Sequence, residues 1–190
     1  GTYNAGINRY DPDTKKITLY QTSNAAADST CWTGFISRDG VLWVATENSN
    51  LLYRAVPFHK FISSTSTVSA ATSFVEDKQG NLWVGTYGGG LFEYDQNKNF
   101  TGQFKHDPSD PFSLLNDTVI LFQNHNDTIW VRTEKGLRIL NEGTKKFNWF
   151  AGLGNLKDTI GIGVSKIIRD KQGFMWFGIY GDGLVRYNPL

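Results

Sequence analysis

Five aromatic or acidic residues recur at equivalent turn positions along this chain. They are Tyr3, Glu47, Tyr87, Glu134 and Tyr180. Aromatic rings stack on the apolar faces of sugars, and carboxylates accept hydrogen bonds from hydroxyl groups. If the fold gathers these turns at one end, we expect the five side chains to bind a carbohydrate. The alternative is that they are ordinary residues of exposed hairpin turns.

The residues that usually carry catalysis or bind metals are sparse. The three histidines, His59, His106 and His125, have no ligand-like spacing to Cys, Asp or Glu, so the sequence predicts no metal site. Gly88–Gly90 precedes neither a Lys–Ser/Thr pair nor a helical pattern, which a phosphate-binding loop requires. A single cysteine, Cys31, excludes an internal disulfide. We therefore expect no cofactor and no catalytic residues.

Charge and hydropathy exclude two classes of partner. The chain has 19 Lys and Arg against 18 Asp and Glu, a formal net charge of +1, and no basic cluster. Neither nucleic acid nor an anionic membrane surface is predicted from this balance. No apolar run reaches the length of about 18 residues that a membrane-spanning helix needs, so we expect no membrane contact by this segment.

Four tryptophans recur at a nearly constant stride, within RDGVLWVAT, DKQGNLWVGT, HNDTIWVRT and DKQGFMWFGI. They are Trp43, Trp83, Trp130 and Trp176, separated by 40, 47 and 46 residues. A period of this length indicates a repeat architecture. Large flat side chains at repeat spacing are expected in the core between neighbouring repeats, and not in a ligand cage.

Within one period the pattern predicts a four-stranded antiparallel meander. Residues 71–105 contain four short runs rich in β-branched and aromatic residues, separated by polar, glycine-containing turns. Such a unit, repeated every 40–47 residues, is typical of a β-propeller blade. We therefore predict an all-β fold in a single partial propeller domain over 1–190. Its approximate repeats are 1–44, 45–84, 85–131 and 132–177, with the start of another at 178–190.

The two ends carry the same part of the repeat. GTYNAGINRYD at 1–11 and GIYGDGLVRYN at 178–188 both overlay GTYGGGLFEYD at 85–95. In a closed four-bladed ring these segments would compete for one position, so we expect a section of a larger propeller. Its open edges and faces are expected to cause self-association or a homodimer.

The repeats resemble those of a known family. FVEDKQGNLWVGTYGGGLFEYD and IIRDKQGFMWFGIYGDGLVRYN are similar to the two-component regulator propeller repeat, and FKHDPSDPFSLLNDTV resembles its linker between blades. The third copy departs from it, with Asn126–Thr128 in place of the Asp–x–x–Gly turn. The resemblance implies part of a seven-bladed propeller in the periplasmic sensor region of a hybrid two-component histidine kinase. It also implies a ligand that is often a carbohydrate breakdown product, signalling through a dimer, and no catalysis by this region.

Two other functions remain compatible with the repeats. A streptogramin-lyase-like or glycan-cleaving propeller would need a histidine and a glutamate converging on one face of the ring. A propeller could also bind proteins without sensing a small molecule. Ligand identity and the number of blades in the parent protein are not predicted from the sequence.

Overall fold

The structure is a computed structural model, and it describes residues 7–20, 30–46, 52–55, 62–63, 70–123, 128–150 and 163–188. These residues contain seventeen strands in five antiparallel sheets, here called sheets 1 to 5 in chain order. Sheet 1 comprises β1 (Ile7–Asp11) and β2 (Lys16–Tyr20). Sheet 2 comprises β3 (Cys31–Ile36), β4 (Val41–Thr46), β5 (Leu52–Ala55) and β6 (Ile62–Ser63). Sheet 3 comprises β7 (Ala71–Glu76), β8 (Leu82–Thr86), β9 (Leu91–Tyr94) and β10 (Phe100–Phe104). Sheet 4 comprises β11 (Val119–Gln123), β12 (Ile129–Thr133), β13 (Gly136–Asn141) and β14 (Lys146–Trp149). Sheet 5 comprises β15 (Val164–Arg169), β16 (Met175–Ile179) and β17 (Gly183–Tyr187).

Each sheet is a meander in which every strand pairs with its neighbour in sequence. The prediction of four-stranded antiparallel units is confirmed by sheets 2, 3 and 4, and the meander expected over 71–105 is sheet 3. The sheets do not coincide with the repeat bounds predicted from the tryptophan spacing. The bound at 84–85, for example, falls inside β8. Within the described residues, no helix is both long enough and apolar enough to cross a bilayer.

Successive sheets pack face to face, with a separate apolar core at each interface. Trp43 of sheet 2 lies in the core with residues of sheet 3 and has its ring 6.1 Å from that of Tyr94. Trp83 lies between sheets 3 and 4, and Trp130 between sheets 4 and 5. These three side chains are 1%, 0% and 2% exposed, whereas Trp176 is half-buried. The first strands β3, β7, β11 and β15 contact one another in succession. The sheets are therefore joined along one edge, as blades are around the axis of a ring.

An aspartate six residues before the tryptophan organises the turn between the first two strands. The Asp77 carboxylate accepts hydrogen bonds from the Asn81 backbone at 2.8 Å, from the Asn81 side chain at 2.9 Å and from the Trp83 indole at 3.0 Å. Asp170 accepts from the Phe174 backbone at 2.9 Å and the Trp176 indole at 2.7 Å. A bond from a turn aspartate to a nearby backbone amide is common, whereas the bond to the indole was not predicted from the sequence. One carboxylate thus fixes both the turn and the side chain that the next sheet packs against.

Acid should weaken the turn and the indole contact that the Asp170 carboxylate holds in sheet 5. The indole N–H of Trp176, and then the Phe174 amide, hold the pKa of the Asp170 carboxyl below its usual value. A carboxyl with a lowered folded-state pKa adds stability above the unfolded value of about 3.9 and loses it as pH falls through the folded value. Asp170→Asn should therefore destabilise the chain at pH 7, and the difference from the unchanged chain should shrink towards about pH 3. Urea unfolding midpoints over this range measure it.

The matched control is Asp182→Asn, which removes a carboxylate from the same sheet. The Asp182 side chain accepts no hydrogen bond from the residues that the structure describes, so its substitution should cost little stability at pH 7. A gap between Asp170→Asn and the unchanged chain that stays constant with pH would contradict the assigned role.

Candidate functional site

A cavity of about 510 Å³ lies where sheets 2 and 3 meet, at the end where their first strands begin. It is lined by Trp32, Tyr87 and the segment Ala70–Thr72. Trp32 comes from β3, the segment leads into and begins β7, and Tyr87 follows β8. This volume falls in the range of small-molecule sites, roughly 300–1,000 Å³.

The two aromatic side chains of the cavity are unusually open to solvent. Trp32 is 58% exposed and Tyr87 is 67% exposed, although large aromatic groups are usually buried. The rest of the described lining offers methyl groups and the Thr72 side chain, and none of the five lining residues that the structure describes is charged at neutral pH. The described part of the lining therefore suits a ligand with a flat apolar face.

Irregular pairing of the first strands sets the position of Trp32 and Thr72. In β3 the register shifts between Cys31 and Thr33, and in β7 it shifts between Ala71 and Ser73. Trp32 and Thr72 are therefore the extra residues of two β-bulges. Bulges redirect a side chain relative to the regular alternation of a strand and are common beside active sites.

Hydrogen bonds hold the floor of the cavity to its surroundings. The Thr72 hydroxyl donates to the carbonyl of Val119 in β11, and the Tyr87 backbone amide donates to the Ala70 carbonyl at 2.9 Å. The Leu121 amide in turn donates to the Ser73 hydroxyl at 2.8 Å. These contacts join sheets 3 and 4 directly beside the cavity, so the positions of its lining residues depend on how the sheets pack.

The structure places three of the five predicted ligand residues. Tyr87, Glu134 and Tyr180 are exposed and each directly follows the second strand of its sheet. Tyr87 lines the cavity, whereas Glu134 and Tyr180 are not among its lining residues. Tyr3 and Glu47 lie outside the described residues. Of the three predicted residues that the structure describes, Tyr87 is thus the one that lines this cavity.

Trp32 was not predicted as a ligand residue. A signal for it exists in the sequence: Trp32 stands one residue after the start of a first strand, where sheets 3 and 5 have the hydroxyl residues Thr72 and Ser165. Recognising it required the register of the sheets, because the three residues become equivalent only once the strand pairings are known.

One histidine lies within the described residues, and it has a structural partner. His106 Nδ1 lies 2.6 Å from the Leu114 carbonyl oxygen in the segment between sheets 3 and 4, while His59 and His125 lie outside the described residues. Among those residues, no group of three His, Cys, Asp or Glu is placed to hold a metal ion.

Comparison with known proteins identifies the class. The fold is all-β and of the β-propeller type. Residues 65–88 match the family described as two component regulator propeller, which confirms the resemblance predicted from the sequence. No curated protein matches the chain in sequence.

Solved propellers superpose on nearly the whole chain. The extracellular domain of the hybrid two component system BT3049 from B. thetaiotaomicron covers 99% of this chain at 22% identity, with a TM-score of 0.76. The extracellular domain of BT4673 from the same organism covers 98% at 20% identity, with a TM-score of 0.72. This chain spans only 25% and 27% of their lengths. Virginiamycin B lyase from Staphylococcus aureus also matches over 98% of this chain and 64% of its own, at 16% identity and a TM-score of 0.63. At these identities the likeness shows the fold alone.

Proposed function

We propose that this chain is a ligand-binding section of the extracytoplasmic propeller of a hybrid two-component sensor kinase, and that it has no catalytic activity of its own. The family match at 65–88 and the likeness to extracellular domains of such systems support this assignment. The location would be the periplasm, and the kinase would lie elsewhere in the parent protein.

The ligand that the cavity fits best is a neutral carbohydrate. The observation that carries this proposal is the pair of solvent-exposed aromatic rings, Trp32 and Tyr87, in a cavity between two sheets whose described lining residues carry no charge. Aromatic rings provide flat apolar contact for a sugar ring at a small entropic cost, and neighbouring polar groups fix its orientation. Tyr180, Glu134, Tyr3 and Glu47 would extend the site around the same end of a complete propeller.

A cavity between sheets also suggests how binding would be transmitted. A ligand that touches Trp32 in sheet 2 and Tyr87 in sheet 3 binds best at one relative position of the two sheets. It shifts an equilibrium between arrangements by its differential affinity for them. In a dimer of sensor chains, this preference would bias the relative position of the two protomers.

The proposal is tested by calorimetric titration of the chain with a panel of neutral and acidic oligosaccharides. For a sugar that binds, Trp32→Ala and Tyr87→Ala should each weaken binding by about tenfold, because each removes one stacking surface. Tyr10→Ala, which removes an exposed aromatic ring on sheet 1, is the control and should bind like the unchanged chain. Unchanged affinity in both cavity variants would exclude this site, and an absence of binding by the whole panel would contradict carbohydrate recognition.

The lyase likeness gives the enzymatic alternative its only support, and that likeness concerns the fold. Incubation of the chain with the same panel, followed by chromatography of the products, separates the two functions. A sensor section returns every sugar intact.

A further inference from the structure

The Thr72 side chain supplies a hydroxyl group to the described lining of the cavity between sheets 2 and 3. Thr72 is half-buried, and its hydroxyl donates to the Val119 carbonyl of β11. A carbonyl oxygen only accepts, and a hydroxyl has a single hydrogen, so this bond has one possible direction. A ligand that took the Thr72 hydrogen would have to break the bond to β11.

A neighbouring hydroxyl reinforces this direction. The Ser73 oxygen lies 3.3 Å from the Thr72 oxygen and accepts a hydrogen bond from the Leu121 amide at 2.8 Å. Since the Thr72 hydrogen points to Val119, Ser73 is the donor in the contact between the two hydroxyls. The hydrogen bonds therefore run in one order, from the β11 amide through Ser73 and Thr72 to the β11 carbonyl. A hydroxyl oxygen has two acceptor lone pairs, so Thr72 keeps one after accepting from Ser73.

The equivalent bulge of sheet 5 has the same polarity. Ser165 is the extra residue of β15, and its hydroxyl donates to the Gly178 carbonyl of β16 at 3.0 Å. The two backbone acceptors differ, since Thr72 bonds to the next sheet and Ser165 to its own. In both bulges, however, the hydroxyl hydrogen is bonded to backbone and only oxygen lone pairs remain for another group.

We propose that Thr72 is a fixed hydrogen-bond acceptor in the cavity and makes the site selective for a ligand hydroxyl group that donates. This inference rests on the proposed carbohydrate-binding function and adds a requirement to it, since one particular hydroxyl of the sugar must be unsubstituted. The sugar ring stacks on Trp32 or Tyr87 while that hydroxyl donates to Thr72. An ether oxygen or a fluorine at the same position would face the Thr72 lone pair without a hydrogen between them. Sites that hydrogen-bond a substrate hydroxyl reject analogues lacking it more strongly than apolar pockets reject a missing methylene.

Deoxyfluoro sugars test the direction of this hydrogen bond, because fluorine replaces a hydroxyl without being able to donate. The probes are the neutral oligosaccharide of the panel that binds tightest and its monodeoxyfluoro derivatives, one for each hydroxyl, titrated by calorimetry. In the unchanged chain, fluorine at one position should weaken binding by about tenfold, the usual worth of one hydrogen bond. Thr72→Val keeps the branched shape and removes the hydroxyl, so it should weaken binding of the parent sugar by about as much. Fluorine at the same position should then have almost no further effect, because the two changes remove the same contact.

Two variants control for indirect effects. Thr72→Ser retains the hydroxyl and should retain the tenfold sensitivity at the same position of the sugar. Ser165→Ala removes the equivalent hydroxyl of sheet 5, which is outside the described lining of the cavity, and should bind every probe like the unchanged chain. Circular dichroism and urea unfolding of Thr72→Val check that loss of the bond to Val119 leaves the fold intact. The scan of the unchanged chain is informative without any variant.

The outcomes separate this inference from the proposed function. A fluorine-sensitive position that is lost in Thr72→Val and kept in Thr72→Ser supports both. Tolerance of fluorine at every position by the unchanged chain overturns the role of Thr72, and so does the same sensitivity profile in Thr72→Val. In either case, weaker binding by Trp32→Ala would still support the carbohydrate site. An absence of binding by the whole panel contradicts the proposed function, and this inference with it.

Discussion

Replacement of Trp83 by alanine is expected to destabilise the chain by about 3–5 kcal/mol, the usual cost of truncating a buried tryptophan. The Trp83 side chain is fully buried between sheets 3 and 4. Its ring lies 5.7 Å from that of Phe104, and its indole donates to Asp77 at 3.0 Å. The substitution would remove apolar contact, leave a cavity at the interface and take one hydrogen bond from a buried carboxylate.

The control for this prediction is Trp176→Ala, at the equivalent position of sheet 5. Trp176 is half-buried on the outer face of sheet 5, so its truncation removes less buried surface and should cost only about 1–2 kcal/mol. Urea unfolding of both variants, followed by fluorescence of the remaining tryptophans, gives the two free energies of unfolding. Equal losses would mean that sheet packing does not set the contribution of this side chain.

Replacement of Gly90 by alanine is expected to disrupt the turn between β8 and β9. Gly90 has a φ of 83°, where an L-residue costs roughly 1–2 kcal/mol. In addition, a Cβ at this position would lie 2.1 Å from the Phe104 carbonyl oxygen, which is backbone and has little room to move. Relief of that overlap would displace β10 or break the 2.8 Å hydrogen bond from the Gly90 amide to the Asp117 carbonyl. The total loss of stability should therefore exceed about 3 kcal/mol, since steric strain adds to the backbone cost.

Gly183→Ala separates the two contributions. Gly183 has the same φ of 83°, but a Cβ there would meet nothing within 4 Å. This variant should show the backbone cost alone, and the difference between the two glycines should report the overlap at Gly90. Thermal or urea unfolding checks both. Equal destabilisation would mean that Phe104 and its strand yield freely to the added methyl group.

Most of the fold is readable from the sequence because its determinants are local and repeated. The polar turn at Asp77–Gly80, the apolar and aromatic run of β8 and the glycine turn before β9 each specify their geometry within a few residues. Repetition at a constant stride then implies that each sheet meets a neighbour of the same kind. The departure at Asn126–Thr128 in the third copy does not alter the topology, since β11–β14 pair as the strands of sheet 3 do.

The candidate site was less predictable because it depends on register and on pairs of sheets. Equivalence of turns selected Tyr87, which lines the cavity between sheets 2 and 3. The same logic did not bring Glu134 or Tyr180 into that cavity, since each belongs to a different sheet. Trp32 became a candidate only through the bulge in β3, and no local pattern in the sequence predicts that bulge.

By itself, the sequence determined the period, the strands, the turns and the family resemblance, because these follow from short-range alternation and from the backbone preferences of particular residues. Only the tertiary structure decided which tryptophans are covered and which side chains share a cavity. It also revealed the Asp–indole bond and the hydrogen bond from Thr72 to Val119 of the next sheet. The reason is physical: burial and hydrogen bonding between sheets are properties of two surfaces in contact, and a chain read residue by residue specifies only one surface at a time.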